Sequence, residues 1–153
     1  MEITQRTANL GDAAVLLAWR NNPSVREFSL HSGIIQNDEH LDWLTARLER
    51  VEREPFFLFV AAHGVIGMSR LDLKFESTDK YEISILVDPN QHGKGFGTKI
   101  LNMTCGTFFS INPDKTIVAI VHQDNIVSQK LFTKTGFRLT HSLGNYLHFE
   151  KTI

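Results

Sequence analysis

The chain has 153 residues, and its 16 Lys and Arg residues nearly balance its 17 Asp and Glu residues, for a formal charge of −1. Its 42% of apolar and 22% of charged residues are typical of a folded globular protein, and the length suits one domain, 1–153. The balanced charge gives no indication that the protein binds nucleic acid or a membrane surface. The first residues lack an apolar signal core and the longest apolar run, 56–62, is too short to span a bilayer, so we expect a cytoplasmic protein.

Hydrophobic periodicity predicts one strand and two helices in the first third of the chain. The strand covers 2–7, and Asp12 is expected to cap a helix that runs to about residue 21. A second helix is predicted over 38–52. The apolar residues expected on its buried face are Leu41, Leu44, Leu48 and Val51.

The remainder alternates between strands and helices. Strands are predicted at 56–62, 65–75, 81–87, 116–121, 137–140 and 146–151, with a tight turn at Gly64. Helices are predicted at 95–110 and 126–134, the second ended by Gly136. The first of these carries an apolar stripe of Ile100, Leu101, Thr104, Cys105 and Phe108, in which the Cys105 thiol should be buried and inert. The strand–helix–strand unit predicts a parallel crossover.

Glycines 93, 95 and 97 stand directly between a predicted strand and a predicted helix. Backbone N–H groups of such a turn, at the positive end of the helix dipole, form a site for phosphate or pyrophosphate. A P-loop is excluded because Lys94 is followed by Gly95 rather than Ser or Thr, and the spacing to Gly97 is too short for the dinucleotide fingerprint. A flexible turn with incidental glycines is the alternative.

The segment 85–97 closely resembles motif A of the GNAT acetyltransferases, which has Gln or Arg, two residues, Gly, one residue, then Gly or Ala. Here the pattern reads from His92 through Gly95 to Gly97, with His92 as the one departure. The preceding segment, 85–89, is similar to the bulged strand of the family. The resemblance implies an α/β (α+β) fold: a mixed, mostly antiparallel sheet of six to seven strands with one parallel pair and about four helices.

A second block, formed by 118–125, Ser128 and 131–137, resembles motif B of the same family. There Asn125 would approach the pantetheine arm between splayed parallel strands, although it is also suited to N-cap the last helix, and both roles can hold. The resemblance implies acetyl-CoA as cofactor and no metal. The residues it assigns to the cofactor are Val87, His92, Gly93, Lys94, Gly95, Phe96, Gly97, Thr98, Asn125, Ser128, Phe132 and Lys134.

The resemblance also implies an activity, acetyl transfer to a primary amine, and groups to support it. A strand N–H near Val87, freed from pairing by a bulge, would stabilise the developing oxyanion. Glu82 stands where many members carry a glutamate that acts as base through water, with an ordinary exposed strand residue as the alternative. His122 is the rival base or water relay, and a structural His is the alternative there.

The general acid departs from the family pattern. Many members carry Tyr at the position of Phe132, which has no proton to donate. Tyr81, Tyr146 or water would take this role instead. A domain that binds acyl-CoA for regulation, without turnover, is therefore the alternative from another functional class.

Two branches of the family resemble the N-terminal blocks 17–26 and 38–43: the ribosomal-protein alanine acetyltransferases and the amino-sugar nucleotide acetyltransferases of the pseudaminic acid pathway. The amino-sugar nucleotide is the favoured acceptor, with its phosphates bound by Arg20 and Arg26 and with Tyr146 as a further contact. A peptide N-terminus is the alternative acceptor. The alternative for Arg20 is a structural ion pair. A homodimer is compatible with this family.

Overall fold

The computed structural model describes residues 2–29, 32–74 and 76–153. Within these ranges the chain forms seven strands and five helices. The strands are β1 (Thr4–Thr7), β2 (Phe56–Ala61), β3 (Gly64–Leu73), β4 (Lys80–Val87), β5 (Thr116–His122), β6 (Arg138–Leu143) and β7 (Tyr146–Lys151). The helices are α1 (Ala13–Asn21), α2 (Pro23–Arg26), α3 (Asn37–Leu48), α4 (Phe96–Ile111) and α5 (Ile126–Lys134).

The strands form one sheet in the order β1-β2-β3-β4-β5-β7-β6. Every neighbouring pair is antiparallel except β4 and β5, which are parallel and are joined through α4. Parallel neighbours require such a crossover connection, because the second strand must begin at the same end of the sheet as the first, which a tight turn cannot reach. The predicted fold class, a mostly antiparallel α/β sheet with one parallel pair, is confirmed.

Helices pack on both faces of the sheet, and each interface has its own apolar core. Helices α1 and α3 cover one face, where the buried residues are Leu16, Trp19, Leu44, Phe56, Leu58 and Met68. Helices α4 and α5 cover the other face, with Leu101, Cys105, Phe108, Phe132 and Phe149 among the buried residues. All five residues of the predicted α4 stripe are buried. Helix α4 thereby packs against β3 and β4.

The entry into α1 differs from the prediction. A 3-10 turn precedes the helix, and its capping residue is Asn9, whose side chain accepts a hydrogen bond from the Gly11 N–H. The Asp12 carboxylate does not cap α1, because it accepts hydrogen bonds from Arg6 and from the Asn9 N–H instead. An ion pair with β1 has therefore replaced the predicted cap.

Helix α3 ends four residues earlier than predicted and turns a different face inward. Its buried residues are His40, Leu44 and Arg47, which are spaced i, i+4 and i+7. This stripe leaves Leu41 exposed, contrary to the prediction. The short helix α2, which begins at Pro23 after the cap of Asn22, was not predicted. The last residue of the strand predicted over 65–75, Phe75, lies outside the described residues.

Candidate active site

A gap opens between the two parallel strands β4 and β5. Their register contains three pairs, Lys80 with Thr116, Tyr81 with Ile117, and Glu82 with Val118. Both strands continue beyond this point, β4 to Val87 and β5 to His122, but they no longer pair with each other. The divergence leaves the backbone edges of both strands open to a ligand in the middle of the sheet.

The backbone of Val87 faces this gap. Along a strand, successive residues direct their N–H and C=O groups to opposite sides. Asp79 accepts from the Thr116 N–H on the β5 side, and Asp88 donates to Ile66 on the β3 side. By alternation the Val87 N–H points toward β5, where no strand residue pairs with it.

The predicted bulge at Val87 is wrong. Pairing of β3 with β4 runs without a register shift from Gly67 and Val87 to Leu73 and Tyr81. The Val87 N–H is unpaired because β5 diverges from β4. It is therefore exposed to the gap, as predicted, but without a bulge. The carbonyl of Val87, in contrast, accepts a hydrogen bond from His92 Nε2 at 3.0 Å. His92 thereby ties the glycine loop to the end of β4.

The glycine loop leads directly into the N-terminus of α4. Gly93 and Gly95 adopt φ values of +80° and +78°, a left-handed conformation that favours glycine. A Cβ atom at either position would meet no atom within 4 Å, so the loop surface is open. Gly95 is the N-cap residue, and no side chain in the described part of the chain caps the helix. The first N–H groups of this 16-residue helix therefore lack a side-chain cap, as an anion site requires.

One cavity of about 1150 Å³ joins the strand gap, the start of α4 and the space beneath α1 and α3. Most of the residues expected at the cofactor and at the reacting groups line it. They are Glu82, Val87, His92, Gly93, Gly95, Phe96, Gly97, Thr98, His122, Asn125, Ser128 and Phe132, together with Arg20. The structure thus brings segments from both halves of the chain to a single site.

Four of the predicted site residues do not line this cavity: Lys94, Lys134, Arg26 and Tyr146. Lys94 donates to Gln91 Oε1 at 3.0 Å, within the loop. Arg26 donates to the backbone carbonyls of Asn21 and Ser32, so its guanidinium holds the segment after α2. Tyr146 packs its ring edge-on against His122, with centroids 5.3 Å apart.

Asn125 combines the two roles considered for it. Its Oδ1 accepts a hydrogen bond from the Ser128 N–H at 3.2 Å and so caps α5. Among the described residues, no hydrogen-bond acceptor meets its side-chain N–H₂ group, although Asn125 lines the cavity. An N-cap residue at a cavity wall therefore also offers donors to a ligand.

His122 has a defined hydrogen-bond arrangement. Its Nδ1 accepts from the backbone N–H of Asp124 at 3.1 Å. A nitrogen that accepts a hydrogen bond carries no proton, so the neutral ring is protonated at Nε2. The ring also contacts Phe28, with centroids 5.7 Å apart. The Nε2 atom is consequently a donor, and the neutral imidazole lacks a free basic nitrogen.

Glu82 lies at the narrow end of the gap, on the last β4–β5 pair. Its carboxylate is mostly buried and forms an ion pair with Lys74 at 3.1 Å, while its side chain also lines the cavity. A carboxylate in this position can receive a proton through one water molecule. Of the two rival bases, the geometry favours Glu82.

None of the tyrosine candidates for the general acid lines the cavity. Tyr81 is buried in the core beneath α4, where its ring packs on Phe108 with centroids 4.8 Å apart. Phe132 does line the cavity, but it packs between Phe137 and Phe149 and is apolar. Tyr81 is thus excluded as the group that protonates a leaving thiolate.

The far end of the cavity contains polar residues that sequence reasoning did not single out as site residues. These are His40, Trp43 and Arg70, which lie beside Arg20. His40 donates from Nε2 to the Ala13 carbonyl, and burial lowers its pKa. Arg70 stacks on the Trp43 ring at 5.2 Å from its centroid. The available signal was Arg70 itself, a charged residue two positions before Asp72 within a predicted strand.

Comparison with known proteins identifies the fold and its family. The family described as acetyltransferase (GNAT) domain matches residues 3–138. The chain belongs to the GNAT acetyltransferase family. The matched range contains all of the predicted cofactor, catalytic and acceptor residues except Tyr146.

Two acetyltransferases of known structure have the same fold. Spermidine N-acetyltransferase from Vibrio cholerae, solved with CoA and spermine, has a TM-score of 0.84 at 21% identity, covering 97% of this chain and 94% of that one. Aminoglycoside acetyltransferase AAC(6')-Ib, solved with ribostamycin and coenzyme A, has a TM-score of 0.85 at 17% identity, covering 99% and 94%. The cofactor expected from the sequence is the one bound in both neighbours.

A relative by sequence is the uncharacterized protein MJ1062 of Methanocaldococcus jannaschii, which is 28% identical over 141 residues. The match takes in 90% of this chain but only 28% of that protein. The GNAT chain therefore corresponds to about a quarter of its relative. Over residues 2–29, 32–74 and 76–153, no helix has the length and apolar character needed to cross a membrane.

Proposed function

We propose that this protein transfers the acetyl group of acetyl-CoA to a primary amine of a small molecule. The observation that carries the proposal is the cavity itself: it joins the divergence of β4 and β5 to the uncapped, glycine-rich start of α4. In a protein of the GNAT family, these two features are the parts needed for a pantetheine arm and a pyrophosphate. The spermine and ribostamycin complexes of the neighbours support a small-molecule amine as acceptor.

The residues present fit the cofactor. The pyrophosphate would be held by the loop backbone at Gly93 and Gly95 and by the free N–H groups at the start of α4, where the helix dipole favours negative charge. The pantetheine arm would lie along β4 in the gap and meet the free amide of Asn125. Ser128 and Phe132 would form the α5 wall of this channel.

The chemistry needs two contributions from the protein: a hydrogen-bond donor for the developing oxyanion and an acceptor for the proton that the amine loses. When bound, acetyl-CoA supplies an activated thioester carbonyl. The Val87 N–H, open toward the gap, donates a hydrogen bond to the oxygen that becomes negative. Glu82 takes up, through water, the proton that the attacking amine loses. As the nitrogen–carbon bond of the new amide forms, the carbon–sulfur bond breaks and the thiolate leaves with its electron pair.

Water protonates the leaving thiolate in this scheme. Tyr81 and Tyr146 do not line the cavity, and Phe132 has no proton to give. A thiol has an ordinary pKa of about 8.5, so its anion leaves readily near neutral pH. His122 contributes a donor, its Nε2–H, rather than a base.

The favoured acceptor is an amino-sugar nucleotide, and a peptide with a free N-terminus is the alternative. The test is an acceptor screen with acetyl-CoA, in which the released CoA thiol is measured and the product is identified by mass. The panel contains amino-sugar nucleotides, peptides with free N-termini and polyamines. Turnover with any of these amines supports the enzyme. Tight binding of acetyl-CoA with no transfer to any amine would instead establish the regulatory module.

A further inference from the structure

A buried cluster of charged side chains with a net positive charge lies at the acceptor end of the cavity, where Arg70 lines the wall. Arg47, which is 1% exposed, donates to Asp72 Oδ1 at 2.8 Å. Arg70 is hydrogen-bonded to the other oxygen of the same carboxylate. One carboxylate therefore serves two guanidinium groups. The neighbouring Glu54 carboxylate is paired with Arg50 at 2.7 Å, so an excess of one positive charge remains in the cluster. The remaining donors of Arg47 are met by the backbone carbonyls of Glu54, Pro55 and Leu71.

Arg20 adds a second positive charge to this excess. It is half-buried at the end of α1 and lines the cavity. Burial, and then the nearby charge of Arg70, lowers its pKa. Among residues 2–29, 32–74 and 76–153, it has neither an ion-pair nor a hydrogen-bond partner. A desolvated guanidinium without a partner is costly, because its lost hydration is not replaced.

Arg70 also has an unfulfilled donor. Its Nε–H is buried and meets no acceptor in the described part of the chain. Its guanidinium lies over the ring of Trp43, which is 41% exposed although it is large and apolar. The exposed part of Trp43, beside the partnerless Arg20 guanidinium and the positive charge of Arg70, is complementary to a partly apolar anion.

The other charged groups lining the cavity do not neutralise this end. Glu82 is paired with Lys74, at the strand gap. Glu27 and Glu39 are exposed side chains at the rim. His40 uses its Nε2–H on a backbone carbonyl, and burial keeps its pKa low, so it adds no charge at neutral pH.

We propose that the acceptor amine also carries an anionic group, a phosphate or a carboxylate, which binds to Arg20 and Arg70 beside Trp43. The inference rests on the proposed function and specifies its substrate class. It separates this chain from the spermidine and aminoglycoside enzymes, because polycationic acceptors would meet the unpaired positive charge. Asp72 and Arg47 act as positioning residues that hold Arg70 in place.

Matched acceptor pairs test this proposal. Glucosamine 6-phosphate is compared with glucosamine for the phosphate source, and phenylalanine with phenylalaninamide for the carboxylate source, with spermidine as the polycation. We expect kcat/KM to be at least about tenfold higher for the anionic member of one pair, since a charge-assisted hydrogen bond contributes roughly 1.5–3 kcal/mol. Arg20→Gln should remove that preference and leave the KM of acetyl-CoA unchanged, and Arg20→Lys should restore part of it.

The control is Arg53→Gln, which removes the same charge from an exposed residue outside the cavity. It should keep the wild-type preference. Equal use of neutral and anionic acceptors, or a preference that survives Arg20→Gln, would overturn the proposal.

A binding titration separates this failure from failure of the proposed function. Glucosamine 6-phosphate and phenylalanine are each titrated while Trp fluorescence is recorded, since Trp43 is exposed and the other tryptophan, Trp19, is buried. If no amine is acetylated but one of these anions changes the signal in the wild type and not in Arg20→Gln, the anion site stands and the transferase does not. If neither anion changes the signal in the wild type, the anion site is refuted.

Discussion

Glu82 and Val118 form the last pair at which β4 and β5 lie side by side. Beyond this pair the strands separate, and the Glu82 side chain stands at the narrow end of the gap they leave. The same pairing thus fixes where the gap begins and where the Glu82 carboxylate is located. The position of the proposed base, Glu82, follows from strand topology rather than from a loop.

Glu82→Gln should lower kcat with little effect on the KM of acetyl-CoA. The substitution keeps the shape of the side chain but removes its capacity to take a proton. General base catalysis contributes about a hundredfold to ten-thousandfold, and the loss of kcat should lie in that range. Steady-state kinetics with the best acceptor of the screen measures it. The matched variant His122→Gln should lose far less, and the opposite order of the two variants would assign the base to His122.

The tautomer of His122 can be observed directly. Because Nδ1 accepts from the Asp124 N–H, the neutral ring should carry its proton on Nε2. Long-range ¹⁵N–¹H NMR spectra of the imidazole distinguish the two nitrogens. A protonated Nδ1 in the neutral ring would contradict the hydrogen bond and would return His122 to the set of possible bases.

Much of the cofactor half of the site was predictable from the sequence, because it is encoded locally. A strand, a glycine turn and a helix follow one another within residues 80–111, so Gly95 could be assigned to the start of a helix from its neighbours alone. Asn125 was likewise recognisable as a helix cap. Local patterns of this kind do not depend on how distant segments pack.

The acceptor half was less predictable because it is assembled from segments far apart in the chain. Arg70 faces the cavity only because α1 and α3 cover the same face of β3. Arg20 and Arg26 looked equivalent in the sequence. Arg20 lines the cavity, however, while the Arg26 guanidinium donates hydrogen bonds to two backbone carbonyls. The bulge at Val87 was inferred by resemblance, whereas strand divergence opens its N–H.

Arg47→Met should destabilise the fold strongly. The change removes the donors that serve Asp72 and the carbonyls of Glu54 and Leu71 in a buried region. Breaking a buried ion pair by removing one partner costs about 3–5 kcal/mol. Urea unfolding monitored by circular dichroism measures the loss. Arg50→Met, at an exposed residue paired with Glu54, is the control and should cost less than about 1 kcal/mol. Equal losses would mean that the buried network is not what stabilises this region.

The Cys105 thiol should be inert in the native protein. Burial raises its pKa to about 11, so the reactive thiolate is scarce at pH 8. Because burial raises the pKa of Cys105, the neutral thiol favours the folded state. This contribution to the stability of the fold is complete below the usual pKa of the thiol and is lost as pH rises through about 11. Labelling with a thiol-reactive disulfide at pH 8 should be slow in buffer and fast in urea. Rapid labelling of the folded protein would contradict the burial.

Binding of CoA at the start of α4 is the central claim, and isothermal titration of CoA into three proteins tests it most directly. Gly95→Asp places a carboxylate where the pyrophosphate would lie, and Gly95→Asn adds a side chain of the same size without the charge while tolerating the left-handed backbone. Circular dichroism first confirms that all three proteins are folded. We predict that the wild type binds CoA and that Gly95→Asp binds it at least about tenfold more weakly than Gly95→Asn, since charge-assisted contacts contribute roughly 1.5–3 kcal/mol. Equal affinities of the Asp and Asn variants, or no binding of CoA by the wild type, would contradict the account.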